Sequence, residues 1–235
     1  MQTPIEIYLE HHIYRGLRDH QLRVAAVGKY TKDKPWYSFF MSEGSDQLSK
    51  SGENKAAEPR FPQVAEEIEK MKAIDQEMRK NLNDTEWDDE IDRRNTESMK
   101  RIVEQIGWPT VSKVGKETST SAWLLVQHAD HDPEFQQQCL TLMQQEPEGE
   151  VSLRDIAYLE DRVRVNTNRG QMYGTQFHET RDDSGKVVRY EPQPIEDPEH
   201  LNERRVRMGL EPHEEYIRSL TEKYFPHLLN AGALR

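Results

Sequence analysis

Residues 61–82 read FPQVAEEIEKMKAIDQEMRKNL, and this stretch decides the fold class. Val64, Ile68, Met71, Met78 and Leu82 recur at three- and four-residue spacing, which aligns them on one face of an α-helix. Asp75 stands on that seam where an apolar residue is expected, and Arg79 follows one helical turn later. A carboxylate buried without a partner is costly, so Asp75 either pairs with Arg79 or faces a polar cavity. A purely structural salt bridge is the plainer account of the pair.

Toward the C-terminus the same period continues. A second helix is expected from about Thr85 to Ile106, with Trp87, Ile91, Met99, Ile102 and Ile106 on its seam and Asn95 as the polar intruder beside Asp92. Gly107-Trp108-Pro109 stops it, because glycine suits the C-terminal cap and proline cannot continue a helix. A third helix is expected over Thr118–His131. Asp132-Pro133 then caps a fourth, which carries Phe135, Cys139, Leu142 and Met143. Ser152 and Asp155 resemble a capping box for a fifth, which carries Ile156, Ala157, Tyr158 and Leu159.

The pattern then shifts to period two. Val163 and Val165 alternate with arginines, 166–170 is a turn, 171–180 is β-like, and 182–185 is a loop before Val187-Val188-Arg189-Tyr190. Asp197-Pro198 opens a further helix ended by Gly209, and Pro212 opens a last one to about Phe225. The fold class is therefore mainly α (α+β): a helical domain with a small antiparallel β-hairpin near residues 163–190, and with no internal repeat.

Before Phe61 the character differs. Residues 1–30 are expected to be partly helical, with Tyr8, Leu9, His12, Ile13 and Leu17 at helical spacing. An aromatic cluster, Pro35 to Met41, follows, and residues 42–60 are polar. The expected organisation is an N-terminal extension and linker over 1–60 and a domain over 61–235.

Hydrophobic residues make up 34% of the chain and charged residues 32%, which predicts a folded domain with a heavily solvated surface. The net charge of −11 makes nucleic acid an unlikely partner, although Arg204, Arg205 and Arg207 form one local basic cluster. The longest apolar runs are short: Ala122–Val126 is far below the roughly 20 residues that a membrane-crossing helix needs. The opening Met-Gln-Thr-Pro-Ile-Glu lacks the layout of a secretory signal. Cys139, the sole cysteine, excludes an intrachain disulfide and a cysteine-based zinc site, and its apolar neighbours suit core packing. A cytoplasmic setting is expected.

The densest polar cluster is Gln127-His128-Ala129-Asp130-His131-Asp132, directly after a core-forming run. If the helix continues, His128 and Asp132 share a face, and Gln127 and His131 share the next. Histidine is the natural proton carrier near neutrality, and a carboxylate partner would fix its tautomer. The competing reading makes His128 a buried, hydrogen-bonded side chain and Asp132 an N-cap. A second cluster, Gln171-Met172-Tyr173-Gly174-Thr175-Gln176-Phe177-His178, offers amides and hydroxyls suited to orienting a ligand, or to ordinary cross-strand pairing. A metal could be held by His128 with Asp132 and His178, or by His128 with His131, but neither spacing matches a specific metal motif. No P-loop, dinucleotide fingerprint or nucleophile elbow is present.

Taken in order, Asp75-Gln76 with Arg79, Asp92 with Asn95, Gly107-Trp108-Pro109-Thr110, Gly115, Gln127-His128-Ala129-Asp130, Phe135-Gln136, Asp161-Arg162 and Tyr173-Gly174-Thr175-Gln176 resemble a bacterial family of domains of unknown function, common in actinobacteria. The resemblance spans roughly residues 65–225 and implies an α-rich domain with a small β portion. It carries no established reaction.

Residue chemistry and resemblance together give a pocket hypothesis with three readings. In the first, the chain is an enzyme acting on a small polar molecule or a modified amino acid. His128 is the general acid or base, with Asp130 or Asp75 orienting it. Gln127, Gln171, Tyr173, Thr175 and Gln176 hold the substrate, and Arg162 meets an anionic group. In the second, a metal-dependent oxygenase or hydrolase uses His128 with His131, Asp132 or His178. In the third, a non-catalytic regulatory module binds a protein partner through residues 1–60. A small-molecule ligand is expected in the first two, and no cofactor is specified.

Overall fold

The structure, a computed structural model, describes residues 58–80 and 89–229. The expectations for residues 1–57, and those for Leu82, Thr85 and Trp87, lie outside the described residues. The elements are α1 (Pro62–Lys80), α2 (Asp89–Ile106), α3 (Val111–Val114), α4 (Lys116–Gln127), α5 (Pro133–Gln145), α6 (Leu153–Asn166), β1 (Phe177–Arg181), β2 (Val187–Pro192), a 3-10 turn (Pro198–His200), α7 (Leu201–Arg207), α8 (His213–Tyr224) and α9 (Pro226–Leu229). The described residues are mainly helical with one small two-stranded antiparallel sheet, as the hydrophobic periods predict.

Helix α4 is the hub, and α1, α2, α3, α5 and α6 all pack against it. From Thr118 to Gln127 only Thr120 is not buried, so a helix with apolar residues on all sides occupies the centre of the bundle. Its neighbours are amphipathic. Val64, Ile68 and Met71 of α1 and Met99, Ile102 and Val103 of α2 close over Ala122, Leu125 and Val126 in one core. Gly107, at φ +70, ends α2 and turns the chain so that Trp108 is fully buried. Caps predicted from sequence are made: Asp132 accepts from the Phe135 N–H at 3.0 Å, and Ser152 accepts from the Asp155 N–H at 3.3 Å. No helix among the described residues is long and apolar enough to cross a membrane.

Three boundaries differ from expectation. Helix α4 stops at Gln127, not His131, and His128 is its C-cap at φ −88, ψ −1. The predicted sharing of helix faces by His128 with Asp132, and by Gln127 with His131, therefore does not form. Val163 and Val165 belong to α6, whose helical period was masked by alternating arginines. Residues 171–176 are a loop, with only Gln171 bridging to Ile195, and the strand begins at Phe177. The hairpin pairs Phe177 with Pro192 and His178 with Glu191, and carries an irregularity between Thr180 and Arg181.

Candidate functional site

Two polar clusters flank the segment that leaves α4. The first gathers around His128. The chain turns sharply at the C-cap, with the Ala129 N–H donating to Val126 O at 3.0 Å and the Asp132 N–H donating to Ala129 O at 2.9 Å. The imidazole is thereby directed back to α1, where Nδ1 lies 2.9 Å from Asp75 Oδ1. Asp75 is fully buried and His128 is 4% exposed. Arg79 Nε donates to Asp75 Oδ1 at 3.0 Å, Gln76 Nε2 donates to Asp75 Oδ2 at 2.9 Å, and Arg79 Nη2 donates to Asp92 Oδ1 at 2.5 Å. Thus Asp75, which interrupts the α1 seam, meets the histidine at the end of the central helix, and Arg79 ties Asp75 to Asp92 of α2.

Electrostatics separate the two aspartates. Burial pushes Asp75 upward and is the largest single influence. The neighbouring His128, then Arg79 and Gln76, together outweigh it and hold the carboxyl at about 2. For Asp92 burial prevails over the attraction of Arg79 and His128, and the charge of Asp75 adds to it, so this carboxyl is raised. The same surroundings thus shift the two carboxyls in opposite directions, a separation that marks acid–base sites. Asn95, three residues after Asp92 on α2, and Gln127, the residue before His128, have Nδ2 and Oε1 respectively buried without a hydrogen-bond partner among the described residues.

The second cluster is built on α6. Asp130, expected as a partner of His128, binds Arg162: Nε donates to Oδ1 at 2.7 Å and Nη2 to Oδ2 at 2.5 Å. Asn166 Nδ2 also donates to Asp130 Oδ1 at 2.8 Å. Burial pushes Asp130 up, but Arg162 and these hydrogen bonds overcome it and keep the carboxyl lowered. The third nitrogen of Arg162, Nη1, donates to Gln176 Oε1 at 3.0 Å. Gln176 Nε2 donates to Thr175 Oγ1, and the Thr175 hydroxyl donates to Asp161 Oδ2. Asp161 also accepts the backbone N–H groups of Met172, Tyr173 and Thr175 at 2.6, 3.0 and 2.9 Å. Gln171 closes the loop from the other side: its Nε2 donates to Gln176 O and Gln193 O, and its Oε1 accepts from the Gln176 N–H. Tyr173, half-buried, donates its hydroxyl to Glu160 Oε2 at 3.4 Å. Burial, with the charges of Glu160 and Asp161, raises that phenol to about 12.

The sequence-predicted site residues therefore divide. Asp75 and His128 come together, and Asp75, not Asp130, orients the imidazole. Gln127 lies next to His128 in sequence. Asp130, Arg162, Gln171, Thr175 and Gln176 direct their polar atoms to one another and to backbone, bracing the 171–176 loop against α6. The ring of His178 is exposed and lies 3.9 Å from Glu191, while Asp132 caps α5 and pairs with Lys100 at 2.9 Å, so neither meets His128. His131 is exposed. The acidic and basic groups that do meet His128, Asp92 and Arg79, were read from sequence only as neighbours of the Asp75 and Asn95 seam positions. Asn166 was read as a turn; its place four residues after Arg162 is the one sequence signal that pointed to a shared helix face.

For a metal, the candidate set is Asp75, Asp92 and His128: one ligand atom from each lies within 4.8 Å of the others, and all three residues are buried. Arg79 bears on that fit, because its guanidinium bonds both carboxylates and supplies there the positive charge that a cation would bring.

Comparison with the curated proteins found no match, and comparison with the solved structures found none either. Residues 62–228, the whole span from the start of α1 into α9, match the model of a family of unknown function, DUF6624, and the chain belongs to that family.

Proposed function

We propose that this chain is an enzyme acting on a small polar molecule, a modified amino acid being one such substrate, with acid–base chemistry at His128. The observation that carries the reading is the 2.9 Å contact between His128 Nδ1 and the buried carboxylate of Asp75. A carboxylate held at about 2 stays ionised across the physiological range, so it fixes Nδ1 as the protonated nitrogen and stabilises an imidazolium. Proton exchange with a substrate then falls to Nε2. Arg79 links Asp75 to Asp92, so the anionic partner of the imidazole is itself tied into a second buried ion pair. Asn95 and Gln127 supply an amide donor and an amide acceptor in the low-dielectric surroundings, where hydrogen bonds to a polar substrate are strengthened. Arg162 and the 171–176 loop act as the brace that fixes the segment after His128.

The test is turnover of a panel of small polar compounds and modified amino acids by the purified protein. Activity should fall by about 10²–10⁴-fold in His128→Ala. A His128→Ala protein with full activity on an identified substrate sinks the proposal.

A second reading, metal-dependent oxygenase or hydrolase chemistry, is favoured by the mutual proximity of Asp75, Asp92 and His128. A bound ion would be held by those three residues, with Arg79 displaced from at least one carboxylate. Elemental analysis after purification separates the readings. Stoichiometric iron, zinc or manganese whose removal abolishes turnover supports the second, and metal-independent turnover supports the first.

A further inference from the structure

Helix α4 ends at Gln127, yet the residues at its end, Gln127-His128-Ala129-Asp130, include neither the glycine nor the proline that commonly stops a helix. Had the helix run on, the N–H groups of Asp130 and His131 would donate to Val126 O and Gln127 O. Both carbonyls accept from a side chain of another helix. Gln136 Nε2, on the first turn of α5, lies 3.1 Å from Val126 O and 3.3 Å from Gln127 O. It also lies 3.3 Å from Asp130 Oδ1. The last carbonyls of a helix have no partner within it, and this amide supplies one from outside.

Gln136 is fully buried and shares its face of α5 with Cys139, Leu140 and Met143. It therefore interrupts an apolar stripe on α5 as Asp75 does on α1. Its backbone is fixed by the cap of α5, where the Gln136 N–H donates to Asp132 O at 3.1 Å. Its Oε1 accepts from Asn166 Nδ2 at 3.0 Å. The surroundings settle which way the amide faces, because the reversed amide would set its oxygen against three acceptors. A buried amide bonded at both ends holds its partners firmly. Through this one side chain the end of α4 is joined to the cluster of Asp130, Asn166 and Arg162.

We infer that Gln136 is a positioning residue for His128: by capping α4 at Gln127 it makes the chain turn at His128, which directs the imidazole to Asp75, and by bonding Asp130 and Asn166 it anchors that turn to α6. It acts through the backbone that it holds and not through a bond to the imidazole. The contact it secures, His128 Nδ1 to Asp75 Oδ1 at 2.9 Å, is as short as it is because the turn comes where it does. The bearing of Gln136 on turnover rests on the acid–base reading of His128 given above. The positioning itself does not, so the two fail separately.

The experiment is nuclear magnetic resonance on the full chain, with the His128 Nδ1–H signal as the readout, assigned by its loss in His128→Gln. Gln136→Met keeps the bulk of the side chain and removes its amide. Exchange of the Nδ1–H with water should quicken by about tenfold or more in that variant. Cys139→Ala, one turn on along the same buried face, is the control: it should lower Tm and leave that exchange unchanged. Where Gln136→Met does not fold, the native protein supplies the second measurement. The Gln136 Nε2 protons, held by buried acceptors, should exchange about tenfold or more slowly than those of the exposed Gln137. Unchanged Nδ1–H exchange in a folded Gln136→Met, an equal rise in Cys139→Ala, or Gln136 amide protons that exchange as fast as those of Gln137 overturns the inference. On a substrate that the native protein turns over, Gln136→Met should lower kcat by about 10²-fold. Quickened exchange without turnover of any compound supports the positioning and counts against the enzyme reading alone.

Discussion

His128 and Asp75 come from the end of one helix and the middle of another, yet their side chains meet at 2.9 Å where neither is open to water. In water such a pair is worth little, but when shielded it fixes a tautomer and a charge state. Helix α4 has to end at Gln127 for this to happen, since only the turn at the C-cap directs the imidazole back to α1.

The pair makes stability depend on pH in a defined direction. Asp75 titrates near 3.8 when unfolded and at about 2 when folded. Its stabilisation is therefore complete above about pH 4 and is lost as pH falls toward 2, by about 2 kcal/mol in all. Urea unfolding of the native protein and of Asp75→Asn across pH 5 to 2.5 checks this. The variant is less stable throughout, and its curve is flatter on the acid side. Parallel curves would show that Asp75 has no depressed pKa.

Arg79 bonds two buried carboxylates, so its removal leaves Asp75 with His128 and Gln76 and takes from Asp92 its ion pair. Arg79→Met should destabilise the fold by about 3–5 kcal/mol, because uncompensated buried charge is the costly outcome. Adding Asp92→Asn to that variant should recover part of the loss, since Asp92 is the carboxyl already raised by burial. A double-mutant cycle with coupling below about 0.5 kcal/mol would refute the linkage.

How far the sequence reveals this site depends on which period carries it. The seams of α1 and α2 are legible, and Asp75 and Asn95 stand out on them because an apolar stripe makes a polar intruder conspicuous. The hairpin and the caps of α5 and α6 are legible from local chemistry. The meeting of His128 with Asp75 is not, because it rests on a helix end, and a run such as Ala122–Val126 followed by polar residues does not mark where the last turn stops. Val163 and Val165 misled for a related reason: on a helix whose other face is braced by Arg162 and Arg164, alternation imitates a strand. The 171–176 segment reads as β because its hydroxyls and amides alternate, whereas in the structure those groups are used to bind Asp161 and each other.

Arg162 depends on its planar fork. Two of its nitrogens grip Asp130 and the third reaches Gln176, an arrangement that lysine cannot reproduce. Arg162→Lys should cost about 1–3 kcal/mol despite keeping the charge, and Gln176→Ala should cost less. In the proposed enzyme these variants should lower turnover by loosening the segment after His128, with the pH optimum unmoved, because the Asp75–His128 pair is intact. Measuring kcat across pH for Arg162→Lys checks this. A shifted optimum would show that Arg162 tunes the imidazole directly.

Gly174 is held in a conformation that a side chain would disrupt twice. Its φ of +66 lies in the left-handed region, and a Cβ built there would lie 2.5 Å from Nε2 of His213. Gly174→Ala should therefore cost about 1–2 kcal/mol from backbone strain and more from expelling the ring, which loses its bond to Gly174 O. The expulsion has its own signature. In the native protein the ring is held at about 4, below its usual 6.5, so the folded state resists protonation. Stability from His213 is then complete above about pH 6.5 and falls as pH drops toward 4, by about 3 kcal/mol. In Gly174→Ala the ring moves toward solvent, its NMR titration should shift upward, and the loss of stability between pH 6.5 and 4 should shrink. An unchanged His213 titration in a destabilised Gly174→Ala would assign the whole cost to the backbone.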